Sequence, residues 1–312
     1  MKSVLFKILN LFKNTITKIG INRHTPGVGR IYDFLIRGLW PYKSIIEIQG
    51  SKMYLDIKDE SLCMRKTFEG YAANLIHEKS TTELFKENVK EGNIVVDLGA
   101  NIGYFTLLAA KLVGPQGKVF AFEPEPRNYS YLVKNINLNN YNQVIALQKA
   151  VSNQNGKTRL YICDYDSGHH TINKYEGVEA YSRGRFTEKH SIEIETITLD
   201  SFLAEKTDHI DVIKMDVEGA EMLALIGMNR TLKSNRDIKM FIEFFPLLIE
   251  KMGNSPKEFI HKLLEYYRFS IFVIPDDYSA RQGKMMEIEN IQNLMDICKR
   301  EKDHVNLFLT KP

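Results

Sequence analysis

Three groups of acids, glycines and histidines stand at spacings that can do chemistry. The first is Asp97-Leu98-Gly99-Ala100-Asn101-Ile102-Gly103, which follows the apolar run "NIVV" and opens the helical "YFTLLAAKLV". A glycine at 99 lets the backbone turn sharply and come close to a ligand. Free N–H groups at the start of the next helix suit a ligand carboxylate, and Asp97 can accept from an ammonium group. Asp97, Gly99, Ala100, Asn101 and Gly103 are therefore candidate cofactor contacts. A pyrophosphate would need the middle glycine of G-x-G-x-x-G, and Asn101 stands there instead. The second group starts about 20 residues beyond Gly103, a distance at which an acid ending the next strand can hold ribose hydroxyls. That acid is Glu123, followed by Pro124 in "FAFEPEP". Ala150 and Val151, in the strand end "KAVS", offer small apolar surface to a base ring.

The third group is Asp216 and Glu218 in "KMDVEGAE". Two nearby carboxylates can orient an acceptor, remove its proton or hold a divalent cation. Equally, Glu218 and Glu221 can simply complement a helix N-terminus. Two carboxylates do not define a metal site, and no metal is expected. Glu243, ending "FIEFFP", is a further lining candidate. Residues 164–190 form a long polar loop with His169, His170, Arg183, Arg185 and His190. A histidine there suits a general base, because imidazole titrates near neutral pH; a solvated turn residue is the other reading. The arginines either grip an acidic or phosphorylated acceptor or keep the loop soluble. Asp216, Glu218, His169 and His170 are the candidate catalytic residues, and Asp216 is also a candidate cofactor contact.

These groups need a scaffold that brings strand ends together. From residue 91, strands and helices alternate, which predicts a parallel sheet with helices on both faces. "NIVVDLG", "KVFAFEP", "VIALQKAVS", "DVIKMDV" and "IKMFIEFF" read as its strands, and "HVNLFLT" as an antiparallel last strand. Ligands of such sheets bind at the carboxyl ends of the strands. Residues 21–90 read as a small N-terminal cap with a hairpin at Gly50–Ser51 and a helix, and 91–312 as the main domain. In residues 1–20, Leu5, Ile8, Leu9, Phe12, Ile16 and Ile19 share a helical face beside Lys2, Lys7, Lys13 and Lys18. That stripe suits either an anionic membrane surface or the protein's own core or a partner.

Composition narrows the class. The 312 residues are 44% hydrophobic with a net charge of +3, enough for a buried core and too little charge to point to nucleic acid. Cys63, Cys163 and Cys298 form no CxxC pair, which suggests a reducing cytosol rather than a disulfide framework. No run of about 18 apolar residues spans a membrane, and Lys7 breaks the only candidate leader. The expected location is cytoplasmic, with peripheral contact at the inner membrane face if the first helix binds lipid.

The motifs "VVDLGANIGYFTLLAA", "VFAFEPEPRNYSYLVKNI", "KAVSNQNG", "TITLDSFL" and "DVIKMDVEGAEMLALIGM" resemble, in this order, the FkbM family of methyltransferases over residues 94–275. The resemblance implies a class I methyltransferase-like, Rossmann-like α/β fold, doubly wound and mostly parallel. It implies S-adenosylmethionine as cofactor, held by Asp97, Gly99, Asn101, Gly103 and Glu123. It also places Asp216, Glu218, Gly219 and Glu221 at the active end, in an O-methyltransferase acting on a hydroxyl of a glycan or secondary metabolite. The expected partner is a small-molecule or glycan acceptor. "DVEG" lacks the Asn/Asp-Pro-Pro-aromatic turn common in enzymes that methylate base nitrogens, so nucleic acid is not expected. A non-catalytic S-adenosylmethionine-binding subunit and a nicotinamide-dependent oxidoreductase are the alternatives.

Overall fold

Alternation along the central strands decides which layer each side chain joins. A computed structural model of the protein describes residues 43–56, 67, 76–163, 168–172, 191–275, 285–288, 290–300 and 304–311. The chain divides into two compact units, 1–77 and 78–312. In the first, β1 (Lys43–Ile48) and β2 (Ser51–Asp56) form an antiparallel hairpin. Its turn is Gln49–Gly50, one residue earlier than the sequence suggested, and both residues have positive φ (51° and 76°). That is the backbone a two-residue hairpin loop demands. The amphipathic helix expected at 1–20 lies outside the described residues.

In the second unit, α1 (Lys79–Asn88) precedes β3 (Ile94–Leu98), α2 (Tyr104–Val113), β4 (Lys118–Phe122), α3 (Pro126–Leu138) and β5 (Val144–Leu147). Next come β6 (Ala150–Val151), β7 (Gly156–Tyr161), β8 (Ser191–Ile197), α4 (Leu199–Leu203) and β9 (Val212–Met215). Then α5 (Glu221–Gly227), α6 (Asn229–Ser234), β10 (Lys239–Phe244), α7 (Pro246–Lys251) and α8 (Pro256–His261) lead into a π turn and β11 (Ser270–Val273). The chain finishes with β12 (Met286–Glu287), α9 (Ile291–Arg300) and β13 (Val305–Thr310). The main sheet runs β12-β11-β13-β10-β9-β3-β4-β5. β3, β4, β5, β9 and β10 are mutually parallel, and β13 enters antiparallel between β10 and β11. This is the doubly wound order of the class I methyltransferase fold, antiparallel strand included. No helix among the described residues is long and apolar enough to cross a membrane.

The two faces of the sheet are covered by different helices. Val95, Val119, Val212 and Phe241 pack with Phe85 of α1 and Phe105, Leu108 and Ala109 of α2. Val96, Leu98, Phe120, Ile213 and Met215 pack with Phe202 of α4, Leu225 of α5, Leu232 of α6 and Phe259 of α8. Each fully buried Leu, Val or Phe contributes about 1.5–3 kcal/mol. "VIALQKAVS" is not one strand but two. The chain leaves the main sheet after Leu147, and Ala150–Val151 pairs with Thr196–Ile197 in a second sheet, β6-β8-β7. β5 is the edge of the main sheet, with Ile145 exposed, so no further partner holds the chain there.

The ends of β3, β4 and β9 are stitched together. The N–H groups of Gly99 and Ala100 donate to the Phe122 carbonyl, and that of Asp216 donates to the Leu98 carbonyl. Gly99 has φ +78°, and a Cβ placed on it would stand 1.8 Å from the Asp216 carbonyl oxygen. Gly99→Ala is therefore expected to lose about 2–4 kcal/mol of stability through strain and overlap. Urea unfolding measures it, and a loss below about 0.5 kcal/mol, the range of an ordinary surface substitution, contradicts the close approach.

Candidate functional site

The turn after β3 is built from left-handed residues. Gly99, Asn101 and Gly103 have φ of 78°, 49° and 101°. Asn is the side-chain-bearing residue that tolerates this region best. Gly99 and Asn101 line a cleft at the carboxyl ends of the strands, and Gly103 starts α2. Ala100 is buried against Leu132 and Ile136. Asp97 is not among the lining residues: it is 3% exposed, and the Thr106 hydroxyl donates to its Oδ2 at 2.5 Å. Burial pushes its carboxyl up to about 6, against the lowering effect of Thr106 and Lys214.

Glu123 and Pro124 form the next wall. The backbone N–H of Asn101 donates to Glu123 Oε2 at 2.7 Å, and that of Glu125 to Oε1 at 2.9 Å. Burial nevertheless raises the Glu123 carboxyl to about 8, because these two bonds do not replace its lost hydration. Glu125 caps α3 by accepting from the Asn128 N–H at 2.6 Å, and Pro126 occupies the first helical turn. Ala150, Val151, Leu160 and Ile172 make an apolar wall, joined by Phe122. The cleft thus offers an acid, an apolar slot and a tight backbone turn side by side, a set that fits a nucleoside with an amino-acid tail.

Asp216, Val217, Glu218 and Ala220 close the opposite side. Glu218 has φ +50°, an uncommon conformation for a residue with a side chain. Two neighbours hold it. His169 Nδ1 lies 2.9 Å from its Oε1, and the Thr171 hydroxyl donates to its carbonyl at 2.9 Å. Thr171 in turn pairs through its backbone with Tyr161 of β7. The Cys163 N–H donates to His170 Nδ1 at 3.0 Å, and His170 lines the cleft. That bond leaves Nδ1 without a proton, so neutral His170 carries its hydrogen on Nε2. His170 is thereby set up to donate a hydrogen bond rather than to act as a base. Arg183, Arg185 and His190 lie outside the described residues.

Asp216, Glu218 and Glu243 each bring an oxygen within 4.8 Å of the other two. Burial, followed by the charges of Asp216 and Glu218, raises the Glu243 carboxyl well above its ordinary value. Burial and crowding by like charge thus favour the protonated form of Glu243. His304 Nε2 stands 3.8 Å from Glu243 Oε1, its ring against Phe245. Lys214 Nζ already supplies a cation 3.5 Å from Asp216 Oδ2, so the cluster is an acid–base group balanced by an ammonium. Glu221 lies behind it, 1% exposed; its Oε1 accepts from the Gly219 N–H, and its Oε2 has no hydrogen-bond partner. Sequence reasoning missed Lys214, Asn128, Leu160 and Ile172. Lys214 alone gave a signal, as a lysine in an otherwise apolar strand two residues before Asp216.

A family model described as the methyltransferase FkbM domain matches residues 97–271. The chain is 29% identical over 149 residues to Methyltransferase 1 of Beauveria bassiana, covering 45% of this chain and 59% of that protein. It is 34% identical over 163 residues to methyltransferase sdnD of Sordaria araneosa, covering 46% and 62%. It is 26% identical over 158 residues to a hexuronic acid methyltransferase of Haloferax volcanii, covering 50% and 59%. The chain thus spans less than two thirds of these relatives. Among solved structures it is similar to Aeropyrum pernix fibrillarin with bound S-adenosyl-L-methionine, at TM-score 0.42 and 14% identity over 86% of this chain and 82% of that one.

Burial makes the carboxyls of Glu123 and Glu221, each raised to about 8, easier to protonate folded than unfolded. Their stabilising contribution is whole below the unfolded value of 4.5 and is lost as pH rises through about 8. The unfolding free energy is therefore expected to fall across that range, and Glu221→Gln to flatten the fall. Urea titrations at several pH values measure it; an unaltered slope in the variant contradicts the assignment.

Proposed function

The chain belongs to the FkbM methyltransferase family, and from that premise we propose that it moves a methyl group from S-adenosylmethionine to a hydroxyl of a saccharide or secondary metabolite. The cofactor supplies a methyl already activated by a sulfonium. The turn at Gly99 and Asn101 receives its amino-acid end, Glu123 accepts from its ribose hydroxyls, and Ala150, Val151, Leu160 and Ile172 flank its base. Asp97, behind the turn, fixes the turn's shape and adds negative charge near the ligand's ammonium.

The observation that carries the reading is the carboxylate cluster of Asp216, Glu218 and Glu243 directly beside the Gly99 turn. A hydroxyl is a poor nucleophile until its proton leaves, and Asp216 is placed to take it. Glu218, fixed by His169 and Thr171, orients the acceptor, and His170 donates a hydrogen bond from Nε2. Holding the acceptor in line lowers the barrier further. The acidic wall also selects. An anionic acceptor would meet like charges, whereas a neutral hydroxyl finds acceptors for its proton. The relative named a hexuronic acid methyltransferase supports the saccharide class of the acceptor, while the acidic wall of this chain favours a neutral hydroxyl of such a sugar over its carboxylate.

The test is incubation with methyl-labelled S-adenosylmethionine and a panel of neutral glycans, polyols and uronic acids. Label in a base-stable ether is expected. Label only in base-labile esters, or in none of the panel, contradicts the reading. Asp216→Asn should lower kcat by about 100-fold or more, with the cofactor Kd changed by less than about threefold.

A further inference from the structure

Lys214 is the one charged side chain among the largest fully buried ones of the described residues, at 2% exposure. It lies in the middle of β9, opposite Asp97 of β3 on one side and Phe241 of β10 on the other. Paired residues on adjacent strands share a face, as do residues two apart on one strand. Lys214 therefore projects to the side of Val95, Val212 and Phe241, where Phe105 of α2 covers the sheet. Its Nζ stands 5.1 Å from the centre of the Phe105 ring. Every aspect of that position would suit an aliphatic residue, and burying an ammonium costs several kcal/mol unless charges repay it.

Those charges come from each element packed around it. Asp216 follows on the same strand, with Oδ2 3.5 Å from Nζ. Asp97 is the partner on β3, Glu243 lies on β10, and Glu78 precedes α1 and accepts from the Asn306 side chain of β13. Burial alone would push the ammonium toward neutrality, but Asp216, Glu78, Glu243 and Asp97 together outweigh it and hold Lys214 above its ordinary value. One cation thus serves four carboxyl groups, three of them at the carboxyl ends of the adjacent strands β3, β9 and β10. Two of them, Asp216 and Glu243, belong to the acceptor end, and Asp97 lies under the cofactor turn.

We propose that Lys214 is a positioning residue whose buried ammonium holds Asp216 in place and ties it to Asp97 beneath the cofactor turn. Lys214 touches neither the cofactor nor the acceptor. It acts by supplying an ammonium 3.5 Å from Asp216 Oδ2 in a site crowded with acids. Without it, repulsion among the carboxyl groups is left unopposed.

Lys214→Met keeps the apolar stem against Phe105 and removes the charge. In kinetics the proposal rests on the methyltransferase reading. There kcat/KM relative to wild type is expected to fall several-fold further at about pH 6 than at about pH 9, since the removed ammonium is the charge that opposes protonation of the acids around it. A loss equal at both pH values overturns the proposal. If the wild-type chain transfers no methyl group, the functional reading fails alone, and urea unfolding tests the cage without activity. Removing the cation hurts most when the acids are ionised, so Lys214→Met is expected to lose more stability at about pH 8 than at about pH 5. A variant folded at the lower pH and unfolded at the higher one agrees with this. An equal loss, or a variant unfolded at both, overturns it.

Discussion

The site exists because two strand ends come closer than side chains allow. Gly99 lacks the Cβ that would stand 1.8 Å from the Asp216 carbonyl oxygen, so the turns after β3 and β9 meet backbone to backbone. That contact sets the Gly99–Asn101 turn and the acids Asp216 and Glu218 side by side, as the proposed in-line transfer requires. Glycine here serves strand-to-strand approach first, and its room for a ligand follows from the same missing atom. The neighbouring left-handed residues, Asn101 on one turn and Glu218 on the other, are held against their backbone preference by Glu123 and by His169 and Thr171.

Electrostatics then divides the acids among roles that the sequence leaves equal. Glu123 is buried where two backbone N–H groups point at it, beside the turn at Asn101. Glu243 is buried and crowded by Asp216 and Glu218, which holds its carboxyl well above the ordinary value. Asp216 faces Lys214. Burial, like charge and a buried ammonium thus give one residue type three different environments, which the proposed function uses for sugar binding, for holding a proton and as a base.

Much of this was legible in the sequence. The alternation of "NIVVDLG", helix, "KVFAFEP" and "DVIKMDV" with helices between them fixes a parallel doubly wound sheet, since runs apolar on both faces need cover on both sides. Gly99, Asn101, Glu123, Pro124, Ala150, Val151, Asp216, Glu218 and His170, each singled out from local pattern, all line one cleft. Pattern failed where tertiary partners decide. "VIALQKAVS" splits because its second half pairs with β8, some 45 residues further on. His170 reads as a base until the Cys163 N–H takes its Nδ1. Asp97 lies outside the cleft lining because its face of β3 looks toward Thr106 and Lys214 rather than out of the turn. Leu160 and Ile172 belong to the apolar wall only through the second sheet and the Tyr161–Thr171 pairing, which no local periodicity reveals.

The most direct measurement of the central claim is a crystal structure with S-adenosylhomocysteine. The account predicts the nucleoside between the Gly99–Asn101 turn and the wall of Ala150 and Val151. The Glu123 carboxylate should accept from both ribose hydroxyls, and the sulfur should face Asp216. Density for the nucleoside elsewhere on the protein, or ribose hydroxyls out of reach of Glu123, would contradict it.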